Sequence, residues 1–312
     1  MRKAIGYSYL NGEKEHPRSL TPWVDQVDYI IAIDGRYRTP LPPKLRAKYK
    51  EKYSTDNSYE VLKKICGDKL IHEDLYATQM EKRQRYFDIA GELNCDYLII
   101  WDTDDYVHPE YNDFNYFNKQ LENALKHPED RIYYMWAWIP DETLWPKQHN
   151  EIKSNIWRQY TRIHKNPGNQ RYAQTHWTFA NKGTTDNQIN LWKWSHNNTE
   201  ENPYLIPTTN TIDGIRIATD RTLRTTEDLE FGSGWTFQEI HWEGFTYELV
   251  PALKARGMNC IGMDLPMEKL YFQYRGKAPN GEDVGQVVLL NDDGTETVTK
   301  QFFNVNMQQY YK

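Results

Sequence analysis

Cysteine is scarce in this chain, and its few copies lie far apart. The three cysteines are Cys66, Cys95 and Cys260, an odd number with no C-x-x-C spacing. Disulfide frameworks and structural zinc sites need paired or clustered thiols, so the sequence indicates neither. We expect Cys95, which directly precedes an apolar run, to be a small core residue.

Long apolar runs and an excess of positive charge are missing as well. No window approaches 18 consecutive apolar residues, so no transmembrane helix is predicted. Because no signal-peptide pattern precedes the first apolar stretch, we expect a cytoplasmic protein. The formal net charge of −6 provides no basic field that would attract nucleic acid.

Aromatic residues are plentiful, in contrast to the low overall hydrophobic content of 38%. The chain of 312 residues has 11 tryptophans and 23 tyrosines. Each large ring buries much surface, so these residues are sufficient for a sizeable core. The same side chains are also suited to line a groove for sugars or nucleobases.

The first 110 residues alternate between strand and helix patterns. We predict strands at 3–10, 27–34, 69–73 and 96–101, and helices at 56–66 and 78–93. This alternation predicts an α/β fold with a mainly parallel central sheet and flanking helices. Ligands of such sheets bind beyond the carboxyl ends of the strands.

The later part of the chain has a different character. We predict strands at 131–139 and 157–164, a turn at 166–169, a return strand at 170–179, a helix at 247–256 and a hairpin at 289–298. The predicted organisation is one domain over 1–265 and a β-rich extension over 266–312. The domain has a nucleotide-binding half, 1–110, and an acceptor half, 111–265.

A buried strand ends in a cluster of carboxylates. The segment 96–101 is apolar and aromatic, and it runs directly into Asp102, Asp104 and Asp105. Charges so close to a buried strand are costly unless they are neutralised, and Mg²⁺ or Mn²⁺ prefers such oxygen ligands. An acidic turn after an ordinary strand is the alternative interpretation.

The helix before this strand carries an arginine on its apolar face. Arg83 shares that face with Met80, Phe87 and Ala90. It either extends its apolar stem along the protein towards water or reaches past the sheet end to an anionic ligand. The neighbouring Lys82 and Arg85 lie on other faces, and we expect them to be solvated.

These segments together resemble the glycosyltransferases of the GT-A fold, in particular the family 2 type with an Arg-Asn pair before an Asp-x-Asp-Glu motif. Arg83-Gln84 stands at the position of the pair, and Asp102-Thr-Asp104-Asp105 at that of the motif. The resemblance covers roughly residues 3–180 and implies a GT-A domain. Glutamine replaces asparagine, aspartate replaces the final glutamate, and Trp177 follows His176 where the group often has glutamate.

The resemblance implies metal-dependent transfer of a sugar from a nucleotide sugar, most simply a UDP-sugar, with inversion. It implies that Asp104 binds Mn²⁺ or Mg²⁺ and that Asp102 holds the ribose or shares the metal. Asp34 and Arg83 would bind the base and the diphosphate. His176 would be a further metal ligand or contact the phosphates; a core histidine is the alternative.

An inverting transferase also needs a carboxylate that deprotonates the acceptor hydroxyl. The first candidate is Glu243, before the predicted helix that ends near Gly257, then Asp228 in a Thr-Glu-Asp segment, then Glu248. For each of them, an ordinary surface carboxylate is the alternative.

Two other functions share parts of this pattern. A sugar-phosphate nucleotidyltransferase has the same architecture but needs a Gly-rich loop after the first strand, where this chain reads Gly6-Tyr-Ser-Tyr-Leu-Asn-Gly12. A non-catalytic carbohydrate-binding protein would use the aromatic surfaces alone. The sequence leaves the acceptor open among a glycan, a lipid-linked sugar, a protein and a modified nucleobase.

Overall fold

The structure, a computed structural model, describes ten segments of the chain. They are residues 1–36, 51–77, 79–139, 156–173, 175–185, 188, 203–219, 270–277, 283–291 and 295–302. The chain divides into two compact units, the first formed by 1–36 and 51–225 and the second by 37–50 and 226–312. The predicted boundary at residue 265 lies outside the described residues and stays a prediction.

Fourteen strands and four α-helices are described. The strands are β1 (Lys3–Tyr9), β2 (Tyr29–Asp34), β3 (Leu70–Asp74), β4 (Tyr97–Asp102), β5 (Asp105–Asn112), β6 (Ile132–Ile139), β7 (Ile156–Lys165), β8 (Gln170–Ala173), β9 (Thr175–Asn181), β10 (Thr208–Thr211), β11 (Ile215–Thr219), β12 (Leu270–Lys277), β13 (Asp283–Leu290) and β14 (Glu296–Phe302). The helices are α1 (His16–Val24), α2 (Ser58–Cys66), α3 (Gln79–Glu92) and α4 (Phe114–Ala124).

The first unit is built on one mixed sheet with the strand order β3-β2-β1-β4-β7-β6-β11-β5, and β10 pairs with β6. The strands β3, β2, β1 and β4 are parallel neighbours. The apolar residues of β1, β2 and β4 are buried on both faces, as in other parallel sheets, whereas those of β3 are partly exposed. The predicted α/β class with a largely parallel sheet is therefore confirmed for this unit.

Each face of the sheet has its own hydrophobic cluster. One cluster joins the sheet to α1, α2 and α4 through residues such as Trp23, Leu62 and Leu121. The other joins it to α3 through Tyr86, Phe87 and Ala90, and it also contains Cys95, which is buried as predicted. None of the described helices is long and apolar enough to span a membrane.

The sequence did not predict α1, because Pro22 lies inside the helix and weakens its pattern. The predicted hairpin between 157–164 and 170–179 was wrong. β7 pairs with β4 on one edge and β6 on the other, so neither edge is open to the following segment. That segment forms two strands, β8 and β9, which pair with each other.

The second unit contains an antiparallel sheet in the order β12-β13-β14. β13 and β14 pair with Leu290 opposite Glu296, as expected for the predicted hairpin at 289–298, whose central residues 292–294 lie outside the described residues.

Candidate active site

Asp34 and Asp102 occupy the same edge of the parallel sheet. Asp34 is the last residue of β2 and Asp102 the last of β4, and β1 lies between the two strands. On β1, Tyr9 is opposite Asp34 and Ser8 is opposite Asp102. Since neighbouring strands are about 4.8 Å apart, the two carboxyl ends are separated by about 10 Å.

Two arginines bind the Asp102 carboxylate, one at each oxygen. Arg83 on α3 donates from Nη2 to Oδ1 at 3.0 Å. Arg162 on β7 contacts Oδ2 through Nη1 at 2.7 Å. Arg83 therefore reaches a carboxylate of the chain itself, and its side chain is largely withdrawn from water, with 13% exposed.

This pairing sets the charge state of Asp102. Withdrawal from water by itself raises the pKa of the carboxyl, but the charges and hydrogen bonds of Arg162 and Arg83 outweigh it and hold the pKa at about 2. The pKa of Arg162 is raised by Asp102 and Asp105, although burial alone would lower it. Asp102 is therefore ionised and Arg162 is charged at neutral pH.

Asp105 fixes the turn that leads out of β4. Its carboxylate is 2% exposed and accepts from Arg162 Nη2 at 2.6 Å and from the backbone N–H of Asp102 at 3.3 Å. Asp104 lies in the two-residue turn between β4 and β5 and is partly exposed. Because Asp105 holds the backbone on both sides of this turn, Asp104 is presented from a fixed position.

Arg162 is the residue of this site that sequence reasoning missed. It lies on a strand whose neighbours Ile163 and His164 are fully buried, and its own side chain is 9% exposed. An arginine in a buried strand needs a charged partner. That requirement is the signal in the sequence for charged partners of Arg162, although it does not identify which carboxylates they are.

Asp34 is held by a different kind of partner. Its Oδ2 accepts from the backbone N–H of Ser54 at 2.9 Å, and its Oδ1 accepts from the Ser54 hydroxyl at 2.7 Å. The next residue, Gly35, has φ of +130°, and a Cβ there would lie 2.8 Å from the Leu75 carbonyl oxygen. Only glycine fits this turn after β2 without strain.

Three cations surround this end of β2. Lys82 on α3 is fully buried and donates to the Gly35 carbonyl, so the expectation that Lys82 is solvated was wrong. It was wrong because α3 packs this side chain against the turn after β2. Arg36 and Lys52 both contact the ring of Tyr76, at 5.3 and 5.1 Å from its centroid.

Gln84, which stands where the resembling group has asparagine, joins α3 to the β8–β9 hairpin. Its Oε1 accepts from the backbone N–H of Tyr172 at 2.9 Å. His176 lies in β9, but its side chain and that of Trp177 lie outside the described residues. The candidate bases Asp228, Glu243 and Glu248 also lie outside them.

The described residues contain no group of three or more His, Cys, Asp or Glu side chains that could enclose a metal ion. Mg²⁺ does not need such a cage, because it commonly binds one or two carboxylates together with substrate phosphates and water. The partly exposed Asp104, next to the ionised Asp102, fits that mode of binding.

No protein-family model and no curated protein matches the sequence. Solved structures show weak likenesses. TarS of S. aureus, also solved in complex with UDP, has a TM-score of 0.31 at 13% identity, covering 53% of this chain and 47% of that one. The chain thus spans about half the length of these first matches.

A putative nucleotide-diphospho-sugar transferase from Desulfovibrio desulfuricans G20 matches more of the chain. Its TM-score is 0.29 at 11% identity, covering 82% of this chain and 96% of that one. A UDP-glucose pyrophosphorylase complexed with UDP-glucose has a TM-score of 0.27 at 10% identity, with coverages of 70% and 90%. Likenesses of this strength assign neither a family nor an activity.

Proposed function

We propose that this protein is a metal-dependent glycosyltransferase that moves a sugar from a nucleotide sugar, a UDP-sugar in the simplest case, to an acceptor hydroxyl with inversion. The observation that carries the proposal is the set of charged groups beyond the ends of β2 and β4. It combines a partly exposed carboxylate, Asp104, with two arginines and Asp34 on one sheet edge.

The arrangement suits a ligand with a diphosphate at its centre. Arginine guanidinium groups bind phosphate oxygens through paired hydrogen bonds, and Arg83 lies at the sheet end where ligands of open α/β sheets bind. Lys82, Arg36 and Lys52, near Asp34 at the end of β2, add positive charge about two strands away from the end of β4. In this proposal Asp34 and Tyr76 contact the nucleoside, and Arg83 contacts the diphosphate.

Asp104 is the residue proposed to hold Mn²⁺ or Mg²⁺. Such an ion would neutralise charge that develops on the diphosphate leaving group. Asp102 is ionised and binds one arginine at each oxygen, and each oxygen has a second lone pair with which Asp102 would share the ion or hold the ribose. His176 is proposed as a further ligand or a phosphate contact.

The acceptor hydroxyl must lose its proton to a carboxylate. Glu243 is the first candidate for this base, followed by Asp228 and Glu248. Replacing Glu243 by glutamine is expected to abolish transfer while donor binding persists. If Glu243→Gln transfers sugar at an unchanged rate, Glu243 is not the base and Asp228 or Glu248 becomes the candidate.

The loop after β1 makes a nucleotidyltransferase a less well supported function than a glycosyltransferase. Gly12 in that loop packs against His16, and a Cβ at Gly12 would lie 2.3 Å from His16 Cε1. This glycine therefore makes room for a side chain of the protein, not for a phosphate. Incubation with UTP and sugar 1-phosphates tests the point, because a nucleotidyltransferase would release pyrophosphate.

Donor binding with and without Mn²⁺ tests the proposal itself. We expect UDP-glucose or another UDP- or GDP-sugar to bind in calorimetry, and Asp104→Asn to weaken the metal-dependent binding by tenfold or more, about 1.4 kcal/mol. Asp88→Asn is the matched control, since Asp88 lies on α3 in a surface pair with Lys182. Absence of any nucleotide-sugar binding, or full binding by Asp104→Asn, contradicts the proposal.

A further inference from the structure

A second cluster of chemistry-bearing side chains lies along the strands that follow Asp104. The cluster has five members, which we call the aromatic platform. They are His108 and Tyr111 on β5, Trp138 on β6, Trp157 on β7 and Arg216 on β11. Every member is partly exposed. None of the five has a role in the donor site described above.

The members are in direct contact. The His108 ring lies 5.2 Å from Tyr111, 5.9 Å from Trp138 and 5.6 Å from Trp157, measured between centroids. Tyr111 and Trp157 meet edge to face at 5.3 Å. The Arg216 guanidinium carbon lies 4.0 Å from the Tyr111 centroid and 4.8 Å from that of Trp157. The five side chains therefore form one continuous surface.

The backbone brings these residues together by an irregularity in the sheet. Trp138 and Trp157 are directly opposite each other on β6 and β7. Between β5 and β11 the register shifts, because Ile217 pairs with Val107 whereas Ile215 pairs with Asn112. The extra residues of β5 lie between these two pairs and include His108 and Tyr111.

The rings of the platform are more exposed than aromatic rings in the core. In the core of the same unit, Trp23 and Trp101 are 0% and 1% exposed, with centroids 5.0 Å apart. The platform instead keeps part of each ring accessible and adds a histidine and an arginine as hydrogen-bonding groups. Arg216 is also oriented by Asp213, which accepts from its Nε at 3.3 Å.

This combination matches the chemistry of a sugar ring. A pyranose has a face of C–H groups that stacks on an aromatic ring, while its hydroxyl groups accept from arginine and exchange hydrogen bonds with a neutral imidazole. Burial lowers the pKa of His108, and Arg216 lowers it further against the opposing effect of Glu110. The imidazole is therefore neutral at neutral pH.

The platform is continuous with the candidate active site. β5 begins at Asp105, one residue after Asp104, and His108 follows three residues further on. At about 3.3 Å per residue, the distance along the strand from Asp105 to His108 is about 10 Å. A short oligosaccharide on the platform thus spans to the end of β4.

We propose that the aromatic platform is the acceptor subsite and that it binds a glycan, which contacts the exposed parts of Trp157 and Tyr111 while its reacting hydroxyl points towards Asp104. This inference rests on the proposed glycosyltransferase function. It selects the glycan from the four classes of acceptor that the sequence leaves open.

Oligosaccharide binding to the full chain tests this inference. The probes are cellohexaose, maltohexaose, chitohexaose and mannohexaose, together with a printed array of glycans, and the best binder is titrated by calorimetry. We expect Trp157→Ala to weaken that binding by about 30-fold, as for a central aromatic contact. Tyr111→Ala is the second variant, in case Trp157→Ala does not fold as judged by circular dichroism.

Tyr116→Ala is the matched control, since Tyr116 is an exposed tyrosine on α4, 49% exposed, outside the platform. Its oligosaccharide binding is expected to equal that of the wild type. UDP-sugar binding with Mn²⁺ is expected to stay within about twofold in all three variants. The inference is overturned if no glycan binds, or if the wild type and the platform variants bind glycan equally well. The proposed function survives either result as long as the UDP-sugar still binds. Glycan binding that depends on Trp157 without any donor binding instead refutes the proposed function.

Discussion

Asp34 and Asp102 are the same residue type at the same edge of one sheet, yet the protein stabilises the two carboxylates in different ways. Asp102 binds two guanidinium groups, at 3.0 and 2.7 Å. Asp34 accepts two hydrogen bonds from Ser54, one from the hydroxyl and one from the backbone. Neutral donors satisfy one carboxylate, and opposite charges satisfy the other.

The difference shows which carboxylate is coupled to its surroundings. The Asp34 carboxylate is oriented by Ser54 alone among the contacts described above, so its orientation depends on the short segment around that residue. Asp102 connects α3, β4 and β7 through charged side chains, and Arg162 extends the connection to Asp105. A change at the Asp102 end is therefore expected to affect both the stability of the sheet and the turn that presents Asp104.

The largest expected effect is that of Arg162→Met. This change leaves the buried Asp105 without its guanidinium partner and removes one of the two partners of Asp102. Breaking a buried ion pair by removing one member costs about 3–5 kcal/mol. We expect a loss of this size in the free energy of unfolding, measured with urea at neutral pH.

Ser54→Ala probes the other carboxylate and is expected to cost less. The variant removes the hydroxyl donor of Asp34 Oδ1 but keeps the backbone N–H at Oδ2. A hydrogen bond to a charged group contributes about 1.5–3 kcal/mol, and the lower end applies because one bond persists. Thr55→Ala, at an exposed neighbour, is the control for urea unfolding. A cost equal to that of Arg162→Met would remove the distinction between the two carboxylates.

The sequence predicted the positions of these carboxylates better than their partners. Apolar runs that end in aspartate placed Asp34 and Asp102 correctly at strand ends, because the pattern of a buried parallel strand is local. The partners come from distant parts of the chain, Ser54 from the segment before α2 and Arg162 from β7. Lys82 illustrates the same limit, since helical periodicity assigns it to an outer face while α3 packs it against the turn at Gly35.

Arg83→Met tests how much the second guanidinium adds at Asp102. Because Asp102 is 35% exposed, water screens this pair, and we expect a cost of about 1 kcal/mol at neutral pH. The pKa of Asp102 is about 2 in the folded protein and about 3.9 in an unfolded chain, so the stabilisation is present above pH 4 and is lost between pH 4 and 2. The difference between variant and wild type in urea unfolding should shrink over that range. A difference that is constant down to pH 2 would contradict the ionic origin.

The smallest expected effect is that of Arg85→Met, two residues further along the same helix. Arg85 contacts Glu73 through two nitrogens, at 2.8 and 2.6 Å, so its geometry is at least as good as that of Arg83. Both members are about one-third exposed, at 32% and 34%, and surface pairs contribute about 0–1 kcal/mol. We expect about 0.5 kcal/mol in urea unfolding and unchanged nucleotide-sugar binding, because Glu73 lies on β3 and not at the end of β4. If Arg85→Met instead costs as much as Arg162→Met, hydrogen-bond geometry and not burial determines how much these arginines stabilise the protein. The contrast between Asp34 and Asp102 would then need another cause.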